Sequence, residues 1–390
     1  MRRMLGAYGS RTMVWPLRSS SRRWLGDWAE LIEPKTRTPA KSTAIAENLF
    51  IADSVRGTKR WKSVADMSVN RLSRVPKEFR VVATGRIETG SNGQLDQSKL
   101  AWQSKLVLLL VLPCTGAGLV LQTQWWGMQF PSVAVWTIGA SLLLALVVLK
   151  LRAATLAGAF TGAVITASLM FSTVTFPYRP WQTALPPVLA VSLLAWIATK
   201  VGREKKERLG TAEKRHGRSA EQVAANLGVA AIVCFDQVRP WMANTRWFSR
   251  ETLVAVLLIA PGLAALAEAA ADTVSSEIGQ VMGGRPRMIT TLRAVDAGTD
   301  GAVSLAGTLA GVIAACIVAG IGTLALRGSI GVFWVSCAGG VFGLLFDSLL
   351  GATLERRGWL NNDAVNFLST ASAAAFALGV LAVWGRVGVG

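Results

Sequence analysis

One long run without an ionisable side chain constrains the fold of this chain most. Residues 106–149 contain no Asp, Glu, Lys, Arg or His, and one bilayer-spanning helix needs only about 20 mostly apolar residues. Charged residues make up 16% of the 390-residue sequence, whereas soluble domains carry about 25%. The mean hydropathy is also high, at +0.41. We therefore predict an all-α, multi-pass transmembrane helix bundle.

Nine apolar stretches after residue 100 predict the helices of this bundle. They lie near residues 104–122, 132–150, 153–172, 183–201, 221–237, 251–271, 302–326, 330–354 and 362–385. The fifth stretch is short and the sixth can extend beyond the bilayer, so the prediction is eight or nine spans. Glycine pairs four residues apart, such as Gly307 and Gly311, are typical of helices that pack closely.

Residues 1–100 are assigned to a separate basic segment, and residues 101–390 to the transmembrane helical domain. Residues 1–25 are rich in Arg and Ser and contain no acidic side chain. Three explanations stay open for this segment: an organellar transit peptide, an authentic disordered basic arm, or a start codon placed upstream of the true one, with Met67 or a later residue nearer to it.

The formal net charge of +18 is interpreted as a sign of membrane topology. Its basic residues are spread over loops beside apolar spans, which indicates a membrane surface and not a nucleic-acid partner. With nine spans, the N-terminal segment and the loops at 200–220, 280–301 and 355–362 fall on one side. We expect this side to face the cytoplasm in a bacterial inner membrane, or the stroma in a plastid membrane.

The sequence lacks the motifs of several common enzyme classes. It contains no GxxxxGK[ST] loop, no GxSxG elbow and no HExxH motif. A single histidine, His216, and four widely separated cysteines provide too few ligands for a zinc site. The cysteines are interpreted as small residues of the membrane core: Cys114, Cys234, Cys316 and Cys337.

Two apolar helices carry acidic residues in a regular pattern. Glu268, Asp272 and Ser276 follow one another at four-residue intervals and so share one helix face. Ionisable groups within a span are costly and indicate function, although a helix end that leaves the membrane is the alternative. The second stripe consists of Gly339, Gly343, Asp347, Gly351 and Glu355. Glycines at this spacing predict a groove in which a backbone or a phosphate approaches the Asp347 carboxylate.

Further polar groups lie in the loops beside these helices. The segment 298–301 begins and ends with glycine and precedes a helix, an arrangement suited to an anion but also found in ordinary turns. Asn362, Asn366 and Thr370 form another stripe with four-residue spacing. The basic run at 214–218 can hold a phosphate or be a solvated loop. Carboxylates, basic residues and a glycine loop on one membrane face fit metal-assisted phosphoryl transfer.

Five ordered segments resemble the integral-membrane family named domain of unknown function ninety-two, which is transmembrane protein nineteen-like. They are LGTAEKRHGRSAEQVAAN at 209–226, ADTVSSEIG at 271–279, GTDGAVSLAGT at 298–308, DSLLGAT at 347–353 and NNDAVNFLS at 361–369. The resemblance covers residues 100–390 and leaves out the basic segment. The family includes plant and cyanobacterial phytyl-phosphate kinases, which convert a prenyl monophosphate into its diphosphate for tocopherol and related pathways.

A looser resemblance extends to CTP-using polyprenol kinases and CDP-lipid synthases. Their sites share an Asp-x-x-Ala-like helix, a basic stretch and a Gly-rich turn. Here the position three residues after Asp272 is Ser275, and the expected Lys-Thr before the glycine turn reads Arg293-Ala294. The choice of nucleotide, CTP or ATP, therefore stays open.

The resemblance implies a membrane-embedded kinase that transfers a phosphoryl group from a nucleoside triphosphate to a prenyl monophosphate of phytyl or geranylgeranyl type. Asp272, Glu277 and Asp347 are the expected catalytic residues and the ligands of Mg²⁺ or a similar divalent cation. The residues expected to bind phosphate or nucleotide are Lys214, Arg218, Arg287, Gly298, Asp300, Gly301 and Ser304. Those expected to position the acceptor are Glu268, Asn362 and Asn366.

Two other functions remain as alternatives. A transporter or lipid translocase would use the same acids as an ion path, and a CDP-lipid-forming transferase would use a similar site. The sequence shows no convincing inverted repeat, and its polar motifs cluster on one face, which favours an enzyme. The prenyl chain and the oligomeric state are left undetermined.

Overall fold

The computed structural model describes residues 99–210, 217–235, 259–282 and 284–387. Nearly all of the predicted basic segment lies outside these ranges, as do Lys214 and His216. The account below concerns the described residues.

Ten α-helices and one short β-ladder make up these ranges. The helices are α1 Ala101–Gln129, α2 Pro131–Lys150, α3 Leu156–Ser172, α4 Leu185–Lys200, α5 Arg203–Leu209, α6 Ala220–Cys234, α7 Ala260–Met282, α8 Leu305–Ala325, α9 Ile330–Leu350 and α10 Asn362–Val387. A π-helical turn, Gly351–Glu355, extends α9. The antiparallel strands β1 Arg287–Met288 and β2 Ala302–Val303 pair Arg287 with Val303. The predicted all-α architecture is confirmed.

Short polar side chains begin several of these helices. Thr155 accepts a hydrogen bond from Gly158 N at the start of α3, and Ser304 accepts one from Gly307 N at the start of α8. Ser219 and Gln222 form a reciprocal capping box at the start of α6. Each cap satisfies a backbone N–H group that has no partner within its helix, which fixes where the helix begins.

Helix α7 lies at the centre of the bundle and contacts α4, α6, α8, α9 and α10. Every residue from 260 to 271 is buried, and most of them are alanine. Small side chains allow five helices to approach one axis, because packing in a membrane relies on close backbone contact. The alanine pattern therefore places the acids at the end of α7 among several helices at once.

The glycine stripe of α9 packs against this centre. A Cβ atom at Gly339 would lie 2.8 Å from Ala264 Cβ, and one at Gly340 would lie 2.8 Å from Ala267 Cβ. On α8, a Cβ atom at Gly311 would lie 2.8 Å from Ala271 O. The close packing predicted at Gly311 is present, and Gly339 and Gly340 likewise leave no room for a larger side chain.

The periphery of the bundle is apolar, as a lipid environment requires. Leu109, Trp136, Leu146, Leu305 and Leu324 are all more than half exposed. Among the described residues, five helices are long and apolar enough to cross a membrane: α1, α2, α8, α9 with its π turn, and α10. The bent pair α4–α5 makes a sixth if it counts as one span.

The predicted count of eight or nine spans is not confirmed. Helices α3 and α6 have 17 and 15 residues, and a rise of about 1.5 Å per residue makes them shorter than the roughly 30 Å hydrocarbon core. Helix α7 carries the acids Glu268, Asp272 and Glu277. Among the described residues, length and charge therefore remove from the count three helices that the apolar pattern includes. Residues 236–237 of the predicted fifth span and 251–258 of the predicted sixth lie outside the described residues.

Helices α4 and α5 meet at an angle of 66°. Gly202, at the junction, has a φ of +61°, a conformation that favours glycine. Lys206 of α5 is 1% exposed and donates hydrogen bonds to Ala198 O and Thr199 O at the end of α4, each at 3.0 Å. Its ammonium group satisfies carbonyl oxygens that the helix end leaves without partners, which fixes the bend.

Candidate functional site

A polar cavity of about 390 Å³ lies at one end of the bundle. Its walls come from the starts of α6 and α10, the ends of α7 and α9, and the loop that leads into α8. These segments are far apart in sequence, and the helix packing around α7 brings them together. From here on this space is called the polar cavity.

Most of the predicted site residues line the polar cavity. They are Arg218, Asp272, Glu277, Gly298, Asp300, Gly301, Ser304, Asp347, Asn362 and Asn366. Glu268 and Arg287 are not in its lining, and Lys214 lies outside the described residues.

Asp272 and Asp347 form the centre of the acidic wall. Their carboxyl groups face each other between α7 and α9, close enough for the charge of each to act on the other. One oxygen of Asp347, Oδ1, is buried and has no hydrogen-bond partner in the structure. Two carboxyl groups in contact need a proton or a cation between them, because two adjacent negative charges repel each other strongly.

The structure permits a test of whether these carboxylates fit Mg²⁺. Among the described residues, no group of three Asp, Glu, His or Cys side chains is placed to hold a metal ion. Mg²⁺, however, usually binds one or two carboxylates and completes its shell with water and substrate phosphates. The touching pair of Asp272 and Asp347, with its unpartnered oxygen, fits that second kind of site.

Glu277 reaches the cavity but is already engaged by other side chains. Its Oε2 accepts a hydrogen bond from the buried Lys206 ammonium, and its Oε1 accepts one from the Thr199 hydroxyl at 3.4 Å. Both partners belong to the bent pair α4–α5. In this arrangement Glu277 fixes α7 to that pair, and its predicted role as a metal ligand stays a prediction.

Glu268 lies one helical turn from Asp272 on the same face of α7. It is 1% exposed, and neither carboxyl oxygen has a hydrogen-bond partner in the structure. Ser369 faces this carboxyl group, but its hydroxyl donates to Asn366 O at 3.0 Å. Glu268 therefore lies deeper in the bundle than the acidic wall, and its predicted role in positioning the acceptor stays a prediction.

Arg218 is held at the edge of the cavity by backbone pairing. Its N–H donates to Ala153 O, and its carbonyl accepts from Thr155 N, each at 3.0 Å. Gly217 makes this close approach possible, since its φ is +75° and a Cβ atom there would lie 2.5 Å from Ala153 C. The guanidinium group donates to the Thr273 hydroxyl at 3.4 Å, which places a positive charge beside the acids.

The glycine loop at 298–301 forms the opposite wall. Gly301 has a φ of +73° and packs against Ala352 in the π turn that extends α9. The loop therefore meets the end of the helix that carries Asp347, a contact that the sequence did not predict. Asp300 lies outside the spans, and desolvation by the surrounding protein raises the pKa of its carboxyl group, while nearby Arg356 acts in the opposite direction.

The asparagine pair enters from the start of α10. Asn361 caps this helix, because its Oδ1 accepts from Ala364 N at 2.9 Å while its amide donates to Leu100 O at 2.8 Å. The cap directs the next turns of α10, so that Asn362 and Asn366 both line the cavity. The four-residue spacing predicted this shared face.

Sequence reasoning assigned no role to several polar residues that also line the cavity, among them Gln222, Asn226, Gln280 and Glu355. A signal for the first two is present, since Arg218, Gln222 and Asn226 follow the same four-residue spacing that identified the other stripes. Glu355 belongs to the α9 stripe, and its position in the π turn brings it beside the glycine loop.

Arg287 lies away from the cavity. It is in strand β1, and its guanidinium group donates to Leu292 O of its own loop at 2.9 Å. The β-ladder, which the helical pattern does not predict, therefore holds this residue at the surface. Its predicted phosphate-binding role stays a prediction.

A second space adjoins the polar cavity. It is an apolar groove between α2, α3, α4 and α6, with a volume of about 290 Å³. Arg218 and Asn226 line both spaces. The polar cavity and the apolar groove thus meet at Arg218 and Asn226.

Comparisons with known proteins agree with this membrane architecture. The chain is 46% identical over 108 residues to an uncharacterized membrane protein of Methanocaldococcus jannaschii, covering 28% of this chain and 45% of that protein. It is 33% identical over 206 residues to an uncharacterized membrane protein of Synechocystis sp., covering 50% and 72%. It is 32% identical over 186 residues to the chloroplastic protein VTE6 of Arabidopsis thaliana, covering 47% and 54%.

The chain thus spans between 45% and 72% of the lengths of these three relatives. No solved structure matches it significantly. The sequence profile of the integral membrane protein family DUF92 matches residues 139–374, which is more than half of the chain and includes the segments around the polar cavity. The chain belongs to the DUF92 family of integral membrane proteins.

Proposed function

We propose that this protein is a prenyl-phosphate kinase that transfers a phosphoryl group from a nucleoside triphosphate to a prenyl monophosphate. The observation that carries the proposal is the polar cavity at the end of an apolar bundle. It brings acids from α7 and α9 together with Arg218, the glycine loop and the asparagine pair. The chain resembles a family that includes phytyl-phosphate kinases, and this resemblance supports an acceptor of phytyl or geranylgeranyl type.

In the proposed reaction, an oxygen of the prenyl monophosphate attacks the γ-phosphorus of the nucleotide. A new P–O bond forms to the acceptor as the bond between the γ-phosphorus and the β,γ-bridging oxygen breaks. The products are the prenyl diphosphate and the nucleoside diphosphate. A general base is not required, because a phosphate monoester is already largely doubly ionised near neutral pH. Positioning and charge neutralisation then account for the catalysis.

The residues of the cavity divide these tasks by charge. Asp272 and Asp347 would hold Mg²⁺ together with phosphate oxygens, and the ion would neutralise charge on the transferred group. Arg218 would bind the acceptor phosphate at the border with the apolar groove. The backbone of the loop at 298–301 and the Ser304 region would face the nucleotide phosphates. Asn362 and Asn366 would orient the acceptor from the opposite side.

The proposed reaction takes place where lipid and water meet. The apolar bundle would keep the prenyl chain in the membrane, and the cavity would admit the soluble nucleotide. We propose that the cavity faces the cytoplasm in a bacterial membrane, or the stroma in a plastid membrane, because the loops beside it are basic.

A test uses purified protein in detergent with Mg²⁺, either ATP or CTP, and phytyl or geranylgeranyl monophosphate. The expected products are the prenyl diphosphate and the nucleoside diphosphate. Asp272→Asn and Asp347→Asn should each lower turnover by about 100-fold or more, as loss of a fixed electrostatic group does. Asp296→Asn is the matched control, because Asp296 is exposed and does not line the cavity.

Two results would count against the kinase. Release of pyrophosphate with formation of a nucleotide-linked lipid would identify a CDP-lipid-forming transferase. Absence of any product with either nucleotide, while both Asp→Asn variants still abolish function in cells, would favour the transporter or translocase alternative.

A further inference from the structure

The apolar groove has walls suited to a hydrocarbon chain. Its lining is mostly alanine, valine and leucine of α2, α3, α4 and α6, with Trp196 and the hydroxyl side chains of Thr166, Ser192 and Thr199 among them. On α4 the lining runs from Val188 to Lys200, a rise of about 18 Å at 1.5 Å per residue. The groove therefore extends from the basic end of the bundle well into its apolar part.

Small residues of α3 create this space. Gly158 packs directly against the backbone of Arg218 and Ser219 at the mouth of the groove. Gly162 lies one turn deeper, about 6 Å along the helix. A Cβ atom at Gly162 would meet only Val223 Cγ1, at 3.7 Å, which is ordinary contact. A larger side chain at this position would project into the groove without displacing backbone.

The mouth of the groove is positively charged. Four cations line it, and the described residues of the lining include no carboxylate: Arg152, Lys200, Arg203 and Arg218. One of them, Arg203, pairs with Glu207 of its own helix at 3.0 Å. The polar cavity has the opposite composition, with Arg218 beside five acids: Asp272, Glu277, Asp300, Asp347 and Glu355. An anionic head group is therefore favoured at the groove mouth, and a metal-bound nucleotide on the acidic side.

We infer that the apolar groove binds the isoprenoid chain of the lipid phosphate, with its terminal phosphate at Arg218 and Asn226. This inference rests on the proposed function. The apolar groove is one continuous space and accepts one hydrocarbon chain, whereas a bilayer phospholipid carries two chains and fits it poorly. The phosphate must also be terminal, because only a monoester can project past Arg218 towards Asp272 and Asp347. Gly162 then determines how long a chain the groove admits.

The test separates binding from catalysis. A geranylgeranyl monophosphate with a diazirine on its distal isoprene unit is cross-linked to the protein in nanodiscs without nucleotide. In the wild type, labelled peptides should map to α3 and α4. Gly162→Leu should reduce labelling by at least about tenfold, which corresponds to about 1.4 kcal/mol, less than the burial of two methylene groups.

Gly139→Leu is the matched control. Gly139 lies on α2, is exposed and has no atom within 4 Å of a built Cβ atom. Both changes replace a helical glycine with leucine, so their effects on helix propensity are alike. Gly139→Leu should label as the wild type does. Equal labelling of the Gly162→Leu variant, or labelling confined to lipid-facing residues, overturns the inference.

Kinetics provide a second readout. Gly162→Leu should lower kcat/KM for the four-unit acceptor by at least about tenfold and leave a one-unit acceptor, dimethylallyl monophosphate, unchanged. If the wild type shows no kinase activity but Gly162→Leu still loses the cross-linking, the result supports the groove and rejects the kinase. Full kinase activity of Gly162→Leu on the four-unit acceptor would reject the groove while supporting the kinase.

Discussion

Replacing Lys206 with methionine removes the cation that joins α5 to α7. Lys206 and Glu277 have exposed side-chain fractions of 1% and 13%, so water solvates the carboxylate that remains only in small part. Loss of one partner of a buried ion pair costs about 3–5 kcal/mol. Two carbonyl groups at the end of α4 also lose their donor. We expect the unfolding equilibrium constant to rise by roughly 100-fold or more.

The measurement is reversible unfolding in mixed micelles, with the free energy of unfolding compared between variants. Arg208→Met is the matched control, because Arg208 is in the same helix and its side chain is 82% exposed beside Glu204. Exposed pairs of this kind contribute less than about 1 kcal/mol. Each variant loses one positive charge, from a buried side chain at position 206 and from an exposed one at position 208.

Equal free energies of unfolding for the two variants would refute this reasoning. A double-mutant cycle with Glu277→Gln strengthens the test, since neighbouring groups show interaction energies of about 0.5–3 kcal/mol. The Lys206→Met, Glu277→Gln double variant should recover part of the lost stability. Recovered turnover in the same protein would identify Glu277 as a positioning residue, whereas a stable but inactive double variant would support its predicted role as a metal ligand.

Two further predictions follow from packing and charge. Gly343→Leu should destabilise the protein by about 1–3 kcal/mol, because a Cβ atom there would lie 2.5 Å from Glu268 Cγ and 2.9 Å from Ala373 Cβ. The control Gly379→Leu, which meets no atom within 4 Å, should not; equal unfolding midpoints would contradict the packing of α9 against α7 and α10. Asp300 has a raised pKa in the folded state, so its contribution to stability is present below the ordinary value of 3.8 and is lost as the pH rises through the folded-state pKa. Asp300→Asn should therefore gain stability relative to the wild type as the pH rises above 3.8, and a difference that does not change with pH would contradict the shift.

The helical period predicted those parts of the site that depend on one helix alone. Asp272 and Ser276, Asp347 and Gly351, and Asn362 and Asn366 each share a face because four residues make about one turn. The structure places every one of these residues in the lining of the polar cavity. Spacing within a helix is a local property, which is why the sequence alone was enough.

Contacts between elements could not be predicted in the same way. Glu277 is five residues from Asp272, about 140° around the helix, and its ion pair depends on the position of Lys206 in another helix. Arg287 is withdrawn from the cavity by a β-ladder whose strands have two residues each, too short for any periodic signal. The apolar groove likewise arises from four helices together, and none of them carries a distinguishing motif of its own.

The enclosed position of α7 affects any count of membrane crossings in this protein. The apolar pattern counts this helix as a span, whereas a count by length and composition leaves it out because of its three acids. Each crossing that is missed reverses the side assigned to every later loop, because the side depends on whether the number of crossings is odd or even. Arg218, Gly301 and Glu355 nevertheless border the same cavity. Their three segments must therefore open to one aqueous compartment, whatever parity a profile assigns to them.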